Sequence, residues 1–299
     1  MNVAILGSGS WGTALATLVA EAGHRPKLGY LGKRPTGFPG SANLAGVIKD
    51  TDLIFIAAHP EVVGQVICDA NPGPRDKIVM ATRGLDTQTG GWLTDTVTEN
   101  SACVQVGALA GPALASEVLV RQPCALVVAS HYSNVSTIAQ QVLHSSICRV
   151  YTSSDLRGVE LAGTMVDVLS IAMGLSDGLQ FGIGSRGVIV TRGLAECTRL
   201  GRALGAQEST FAGLAGVGEV VACGSHPQHP GYAAGLSLGR GDPVCPRLRS
   251  EVSAIIALAK RHSVDIPLTQ AISAIISGTL QPRIAIDMLM RREATSEDG

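Results

Sequence analysis

The sequence predicts an α/β chain, with a doubly wound domain over residues 1–155, an all-helical domain over 156–292 and a flexible tail at 293–299. Three observations lead there. A glycine-rich turn, Gly7-Ser8-Gly9-Ser10-Trp11-Gly12, follows a short aliphatic run and opens a helix. Short β-branched runs then alternate with helical stretches up to about residue 155. Beyond that point apolar residues recur at spacings of three and four, and strand-like runs are hard to find.

The first strand is Val3-Ala4-Ile5-Leu6, and the helix after the turn runs from Thr13 through Ala20 to a stop at Gly23. Between a strand and a helix the three glycines have separate tasks. Gly7 makes the tight turn, Gly9 lets a pyrophosphate approach the backbone, and Gly12 lets the helix sit close to the strand. Amides at the helix start then hold the diphosphate. An ordinary tight turn is the plainer reading of the same glycines, but their frame is that of a Rossmann-type dinucleotide site. Gly7, Ser8, Gly9, Ser10, Trp11 and Gly12 are accordingly the expected cofactor-binding residues, with Pro60 and Ala115 at later turns.

Residues 25–31 make a poor second strand, because Pro26 suits only an edge or a start. The loop at 32–40 lacks the acidic residue that would bond the adenosine ribose of NAD. Lys33 and Arg34 stand there instead, either facing a 2'-phosphate, which favours NADP, or simply solvated; the cofactor is NADP or NAD. A buried parallel strand at 52–58 ends in His59-Pro60, with a helix from about Glu61. The strand at 77–82 delivers Arg83-Gly84-Leu85-Asp86 to the edge where ligands bind in an open α/β sheet. Residues 104–109 repeat the theme and end in Ala110-Gly111-Pro112, and 125–129 and 149–151 complete the strands.

In the second half, residues 159–179 form a long buried central helix, followed by helices at 188–204 and 208–214. Residues 224–231, Gly-Ser-His-Pro-Gln-His-Pro-Gly, read as loop. Three further helices are expected at 251–262, 269–277 and 283–291, punctuated by Pro243, Pro246, Pro267 and Pro282.

Composition narrows the function classes. A net charge of -1 with 16% charged residues offers no basic face for nucleic acid. The seven cysteines, Cys68, Cys103, Cys124, Cys148, Cys197, Cys223 and Cys245, include no C-x-x-C pair, so buried free thiols are expected rather than disulfides or a metal site. No secretory leader is visible and no uninterrupted apolar run approaches the length of a membrane span. A cytoplasmic protein without membrane insertion follows as the expectation.

The order of these features resembles the NAD(P)-dependent glycerol-3-phosphate dehydrogenase family. Gly7 to Ala16 matches its opening motif, Ala110-Gly111-Pro112 its inter-domain signature, and Val159-Glu160-Leu161-Ala162-Gly163 its central helix. Thr191-Arg192-Gly193-Leu194-Ala195-Glu196 matches the next helix, and Phe211-Ala212-Gly213-Leu214-Ala215-Gly216-Val217-Gly218 leads into the substrate loop. The resemblance implies a nicotinamide cofactor, a small-molecule substrate and a homodimer. It also marks departures. Val166 and Asp167 stand where the family has a carbonyl-polarising lysine and an asparagine, and Arg83 replaces a second lysine. Glu219 replaces an aspartate, while Cys223, Pro230 and Gly231 fall on the threonine, arginine and asparagine that position glycerol phosphate. Arg186 matches a family arginine near the substrate, and residues 32–50 contract a longer family excursion.

From these departures the expected activity is hydride transfer between nicotinamide and a small alcohol or carbonyl less phosphorylated than glycerol 3-phosphate. Asp167 or Glu219 is the expected proton acceptor or donor, while Arg83 and Arg186 hold an anion. Glu160 orients neighbouring groups. His226 and His229 flank the substrate loop, where either one supplies the missing proton donor or stands solvated. The alternatives are the conventional glycerol-3-phosphate dehydrogenase and a dinucleotide-binding protein without turnover.

Overall fold

The computed structural model describes residues 1–290 apart from Lys33, Thr87 and 243–245. The expected roles of Lys33 and of the tail at 293–299 therefore lie outside the described residues, as does Cys245.

Eight strands form one sheet: β1 (Asn2–Leu6), β2 (Arg25–Gly29), β3 (Gly40–Ser41), β4 (Leu53–Ile56), β5 (Lys77–Met80), β6 (Gln105–Ala110), β7 (Cys124–Ser130) and β8 (Cys148–Ser153). Their order is β3-β2-β1-β4-β5-β6-β7-β8. Strands buried on both faces send alternate residues to opposite layers. Val3, Ile5 and Phe55 pack under helices α1 (Ser10–Glu21) and α6 (Ser133–Leu143). Ala4, Leu6, Ile54 and Ile56 pack under α2 (Leu44–Ile48), α3 (Val63–Ala70) and α4 (Leu93–Asn100).

Two details depart from the simplest parallel pattern. Pro26 lies inside β2 rather than at its end, yet no ladder bond is lost. Arg25 N–H donates to Met1 O and Leu28 N–H to Pro39 O, so the alternation turns the proline nitrogen away from β1, at a point β3 does not reach. Strand β7 runs antiparallel to β6, the one such pair among the named strands. Only the single-turn α5 (Ala115–Leu119) lies between them, too short for the crossover a parallel pair demands.

After Ser153 the described residues contain no further strand. The second half comprises α7 (Leu156–Gly178), α8 (Ile183–Ala203), α9 (Glu208–Ala212), α10 (Glu219–Ser225), α11 (Pro230–Arg240), α12 (Pro246–Arg261), α13 (Pro267–Ile276) and α14 (Pro282–Met290). Helix α7 is long and apolar enough to cross a membrane, but 89% of its most apolar window is buried inside the protein. It is the axle around which α8, α10 and α11 pack.

The expected loop at 224–231 is half helix, for α10 continues to Ser225 and α11 begins at Pro230, leaving residues 226–229 as the turn. Pro230 occupies a first-turn position and Gly241 ends α11 in the left-handed conformation, both ordinary boundary signals. Glycines at 231, 235 and 239 form one face of α11, four residues apart. That face lies directly on α7: a Cβ at Gly235 would sit 2.0 Å from the Ile171 carbonyl oxygen, and one at Gly231 would sit 2.9 Å from that of Asp167. Close backbone approach is thus what these glycines are for. Gly235→Ala is expected to destabilise the fold by about 1–3 kcal/mol through overpacking, read as a lower urea midpoint at unchanged slope. An unaltered midpoint would show that the helices are not in contact there.

Candidate active site

The nucleotide cradle begins where β1 ends. Gly7 has φ +135° and donates its N–H to Gly29 O at 2.9 Å. A Cβ at Gly7 would lie 2.1 Å from Ala57 O, and one at Gly12 would lie 1.9 Å from Gly7 O. At Gly9 the same test meets nothing within 4 Å. Two glycines are therefore demanded by packing, while the third opens onto free space beside the first turn of α1, where no side chain caps the helix. This arrangement fits a dinucleotide diphosphate, with Gly9 as the point of approach and the first amides of α1 as donors.

The other residues expected at the cofactor lie as follows. Ser8 is half-buried in the turn and Ser10 is exposed at the start of α1. Trp11 donates its indole N–H to Ala81 O at 3.0 Å, tying the turn to the end of β5. Pro60 is buried and opens a 3-10 turn at the end of β4. Ala115 starts α5 and packs against the layer of α1. Arg34 is exposed.

Arg83 lies three residues past the carboxyl end of β5, just before Leu85, which bridges antiparallel to Trp92. Its stem crosses Gly163 of α7, where an added Cβ would lie 3.3 Å from Arg83 Cγ. The guanidinium then gathers groups from three elements. Nη1 donates to Glu219 Oε1 at 2.6 Å and to Cys223 Sγ at 3.4 Å, both on α10. Nη2 lies 3.3 Å from Asp167 Oδ1 on α7 and 3.0 Å from His229 Nε2 in the turn before α11. His229 Nε2 is itself 3.4 Å from Asp167 Oδ1. A single wide turn at Leu214–Gly218 leads into Glu219, whose second oxygen accepts from Gly111 N–H at 2.8 Å.

Exposure separates front from back. The side chains of Arg83 and Asp167 are 27% and 30% exposed, while those of Glu219 and His229 are 5% and 4%. Burial opposes the charge on Arg83, but Asp167 and Glu219 outweigh it and keep the guanidinium charged. Burial raises Glu219, against the lowering pull of Arg83 and the Gly111 N–H. Burial likewise opposes a proton on His229, yet the hydrogen bonds with Asp167 and Cys223 prevail and hold it up at about 9.

Four expected site residues, Arg83, Asp167, Glu219 and His229, thus converge. Others do not join them. Arg186 binds Asp177 in a bidentate pair with Tyr232 beside it, ten residues and about 15 Å along α7 from Asp167. These contacts tie α7, α8 and α11 together. His226 is half-buried at the end of α10, and its carbonyl accepts the His229 N–H at 2.9 Å, which turns His229 inward. Val166 is fully buried with Leu169, Val220 and Cys223, so its neighbour Asp167 presents the polar group of α7 to the cleft. Cys223, expected in the sequence as a buried thiol and a replacement for the family threonine, touches Arg83.

Glu160 lines the same narrow cavity as Arg83, Thr82 and Gly84, but its hydrogen bonds point elsewhere. It accepts from Thr94 N–H and Oγ1 at the start of α4, and from Arg157 at 2.9 Å, which also pairs with Asp95 and stacks over Trp92. Burial lifts Glu160 to about 7, against the opposing effects of Arg157 and Thr94. The folded chain therefore retains a proton that the unfolded chain releases from about pH 4.5 to 7, and stability falls as pH rises through that window. Wild-type Tm is expected to decline relative to Glu160→Gln over this range; parallel Tm curves would rule the linkage out.

Both halves match family models. Residues 2–34 and 29–136 match that of the NAD-dependent glycerol-3-phosphate dehydrogenase N-terminus, and residues 155–287 that of its C-terminus. A glycerol-3-phosphate dehydrogenase, NAD(P)+, of Gloeobacter violaceus is 36% identical, covering 100% of both chains. The chain belongs to the NAD-dependent glycerol-3-phosphate dehydrogenase family. A Legionella pneumophila protein of the same description is 32% identical over 99% of each chain. The crystal structure of glycerol-3-phosphate dehydrogenase from Coxiella burnetii superposes with a TM-score of 0.88 at 30% identity, covering 97% of this chain and 99% of that one. This family member is an NAD(P)-dependent oxidoreductase of the class acting on a CH–OH group. Its charged cluster draws on both matched halves, Arg83 and Gly111 from the first and Asp167, Glu219 and His229 from the second.

Proposed function

We propose that the chain catalyses the glycerol-3-phosphate dehydrogenase reaction, hydride transfer between nicotinamide and the secondary carbinol of glycerol 3-phosphate or the carbonyl of dihydroxyacetone phosphate. The observation that supports it is full-length similarity to proteins named for that reaction, joined to a charged cluster at the meeting point of the two matched halves. This reading is favoured over the substrate change expected from the sequence.

Bound nicotinamide supplies or accepts the hydride. Gly7, Ser8, Gly9 and the start of α1 would hold its diphosphate. Arg83, kept charged by its two carboxylates, polarises the carbonyl oxygen and stabilises the alkoxide that develops there. Arginine holds its proton too tightly to give it up, so a separate group must supply one. Glu219 and the Gly111 N–H fix the guanidinium from behind.

One observation favours a second reading, that this is a divergent member acting on a less phosphorylated carbonyl. Val166, Asp167, Cys223, Pro230 and Gly231 occupy positions that resemble the family's lysine, asparagine and phosphate-positioning residues. Steady-state rates with NADH and NADPH, offered dihydroxyacetone phosphate, dihydroxyacetone and glyceraldehyde, separate the two. A kcat/KM for the phosphorylated ketone at least tenfold above the others is expected. The reverse order would establish the second reading, and cofactor binding with no turnover of any of them would leave a dinucleotide-binding protein.

A further inference from the structure

We propose that Asp167 and His229 are the proton-transfer pair of this site, Asp167 as the catalytic residue at the reacting oxygen and His229 as the buried positioning residue that resupplies it. The inference rests on the reading of the chain as a dehydrogenase and names the acid–base group which that reading requires.

Geometry carries it. Asp167 is the carboxylate at the open side of the cluster, and His229 lies behind it at 3.4 Å. Among the described residues, the charged or titratable groups around His229 are Arg83 beyond β5, Asp167 on α7 and Cys223 on α10, with Glu219 behind Arg83. Arg83 always donates. With the imidazole neutral, Nε2 accepts from Arg83 Nη2 at 3.0 Å; with it protonated, Nε2–H donates to Asp167 Oδ1. One atom thus has a partner in both protonation states, which suits a group that gains and loses a proton in each turnover. Charge agrees, since one guanidinium and an imidazolium balance the two carboxylates. Nδ1 of the same ring is buried without a hydrogen-bond partner among the described residues, an unsatisfied group that packing alone would not select. Placement is secured by backbone contact. Gly231 lets the α11 start lie against the Asp167 carbonyl, and the His226 carbonyl holds the His229 N–H.

In the reductive direction the carbonyl carbon gains the hydride pair and its oxygen becomes an alkoxide. As it does so, the Asp167 carboxylate takes the proton from His229 Nε2 and passes it to that oxygen, so the N–H bond breaks, the O–H bond forms and Asp167 ends as the carboxylate it began as. Solvent reprotonates His229 at the end of the cycle. In the oxidative direction each transfer reverses, and the carbinol proton leaves through Asp167 to His229. The raised proton affinity of His229 keeps this reserve loaded at neutral pH.

The test uses the full chain with NADPH and the carbonyl that it reduces best among dihydroxyacetone phosphate, dihydroxyacetone and glyceraldehyde. Asp167→Asn and His229→Gln are each expected to lower kcat by about a hundredfold while NADPH affinity, read by fluorescence, stays within twofold. The double variant should be no worse than either single one, because the residues act in series. Wild-type kcat should fall above about pH 9, and that alkaline limb should vanish in His229→Gln. By NMR, the His229 imidazole of the wild type should titrate near 9, and in Asp167→Asn its midpoint should drop by a unit or more. Either single variant keeping kcat within threefold, or His229→Gln keeping the limb, overturns the pair. A wild-type imidazole midpoint below about 6.5 does so even if neither variant folds. Wild-type protein that binds NADPH but reduces none of the three carbonyls removes the dehydrogenase reading itself, a result distinct from active variants.

Discussion

Replacing Arg83 by methionine is expected to lower kcat/KM by about 10²–10³ and to cost roughly 3 kcal/mol of stability. Both effects come from the same contacts. The guanidinium is the shared partner of Asp167, Glu219, Cys223 and His229, so its loss separates α7 from α10 electrostatically as well as emptying the site of its fixed positive charge. Glu219 suffers most. Its side chain is 5% exposed and would retain only the Gly111 N–H, a poor match for a buried charge. The carboxyl responds by taking a proton, which limits the cost to a few kcal/mol. Arg83→Lys should fall between wild type and methionine. Lysine restores one positive charge but lacks the planar fork that reaches four partners, so about a tenfold loss is expected. Urea unfolding alongside steady-state rates checks both parts; methionine with wild-type kcat/KM would show that the cluster is structural only.

Gly9→Val should raise the NAD(P)H dissociation constant by about a hundredfold, near 2.7 kcal/mol, while leaving Tm within about 2 °C. The contrast within one turn is what makes this sharp. A Cβ at Gly9 meets nothing in the protein, so the fold tolerates it; the space it enters is the one a diphosphate needs. Gly12→Ala should do the opposite, because its Cβ would fall 1.9 Å from Gly7 O and push α1 off β1. Calorimetric binding with a thermal melt distinguishes them. Tight binding by Gly9→Val would place the dinucleotide elsewhere.

Much of the molecule was legible from local pattern. The Gly7–Gly12 turn, the buried strands at Leu53–Ile56 and Lys77–Met80, and the long apolar helix α7 each carry a signal contained within one contiguous stretch. Helix α11 was not read, because its three glycines lower helix propensity, and local propensity is the only term a short stretch reveals. Their four-residue spacing was the overlooked clue. Arg186 shows the converse. Its position resembles a family residue near the substrate, and only helix packing reveals that Asp177 and Tyr232 are its partners.

By itself, the sequence determined the α/β class, the dinucleotide turn, the change to helices after residue 155 and the identity of the groups able to carry charge. Those properties depend on periodicity and on single residue types, which are local. Only the tertiary structure decided that Arg83, Asp167, Glu219 and His229 meet while Glu160 and Arg186 turn away. Their separations along the chain, 136 residues between Arg83 and Glu219 and 146 between Arg83 and His229, are closed by the sheet edge and by glycine contacts between α7 and α11. A proton partner is chosen by distances of about 3 Å, and such distances are set by packing between elements rather than by any pattern within one.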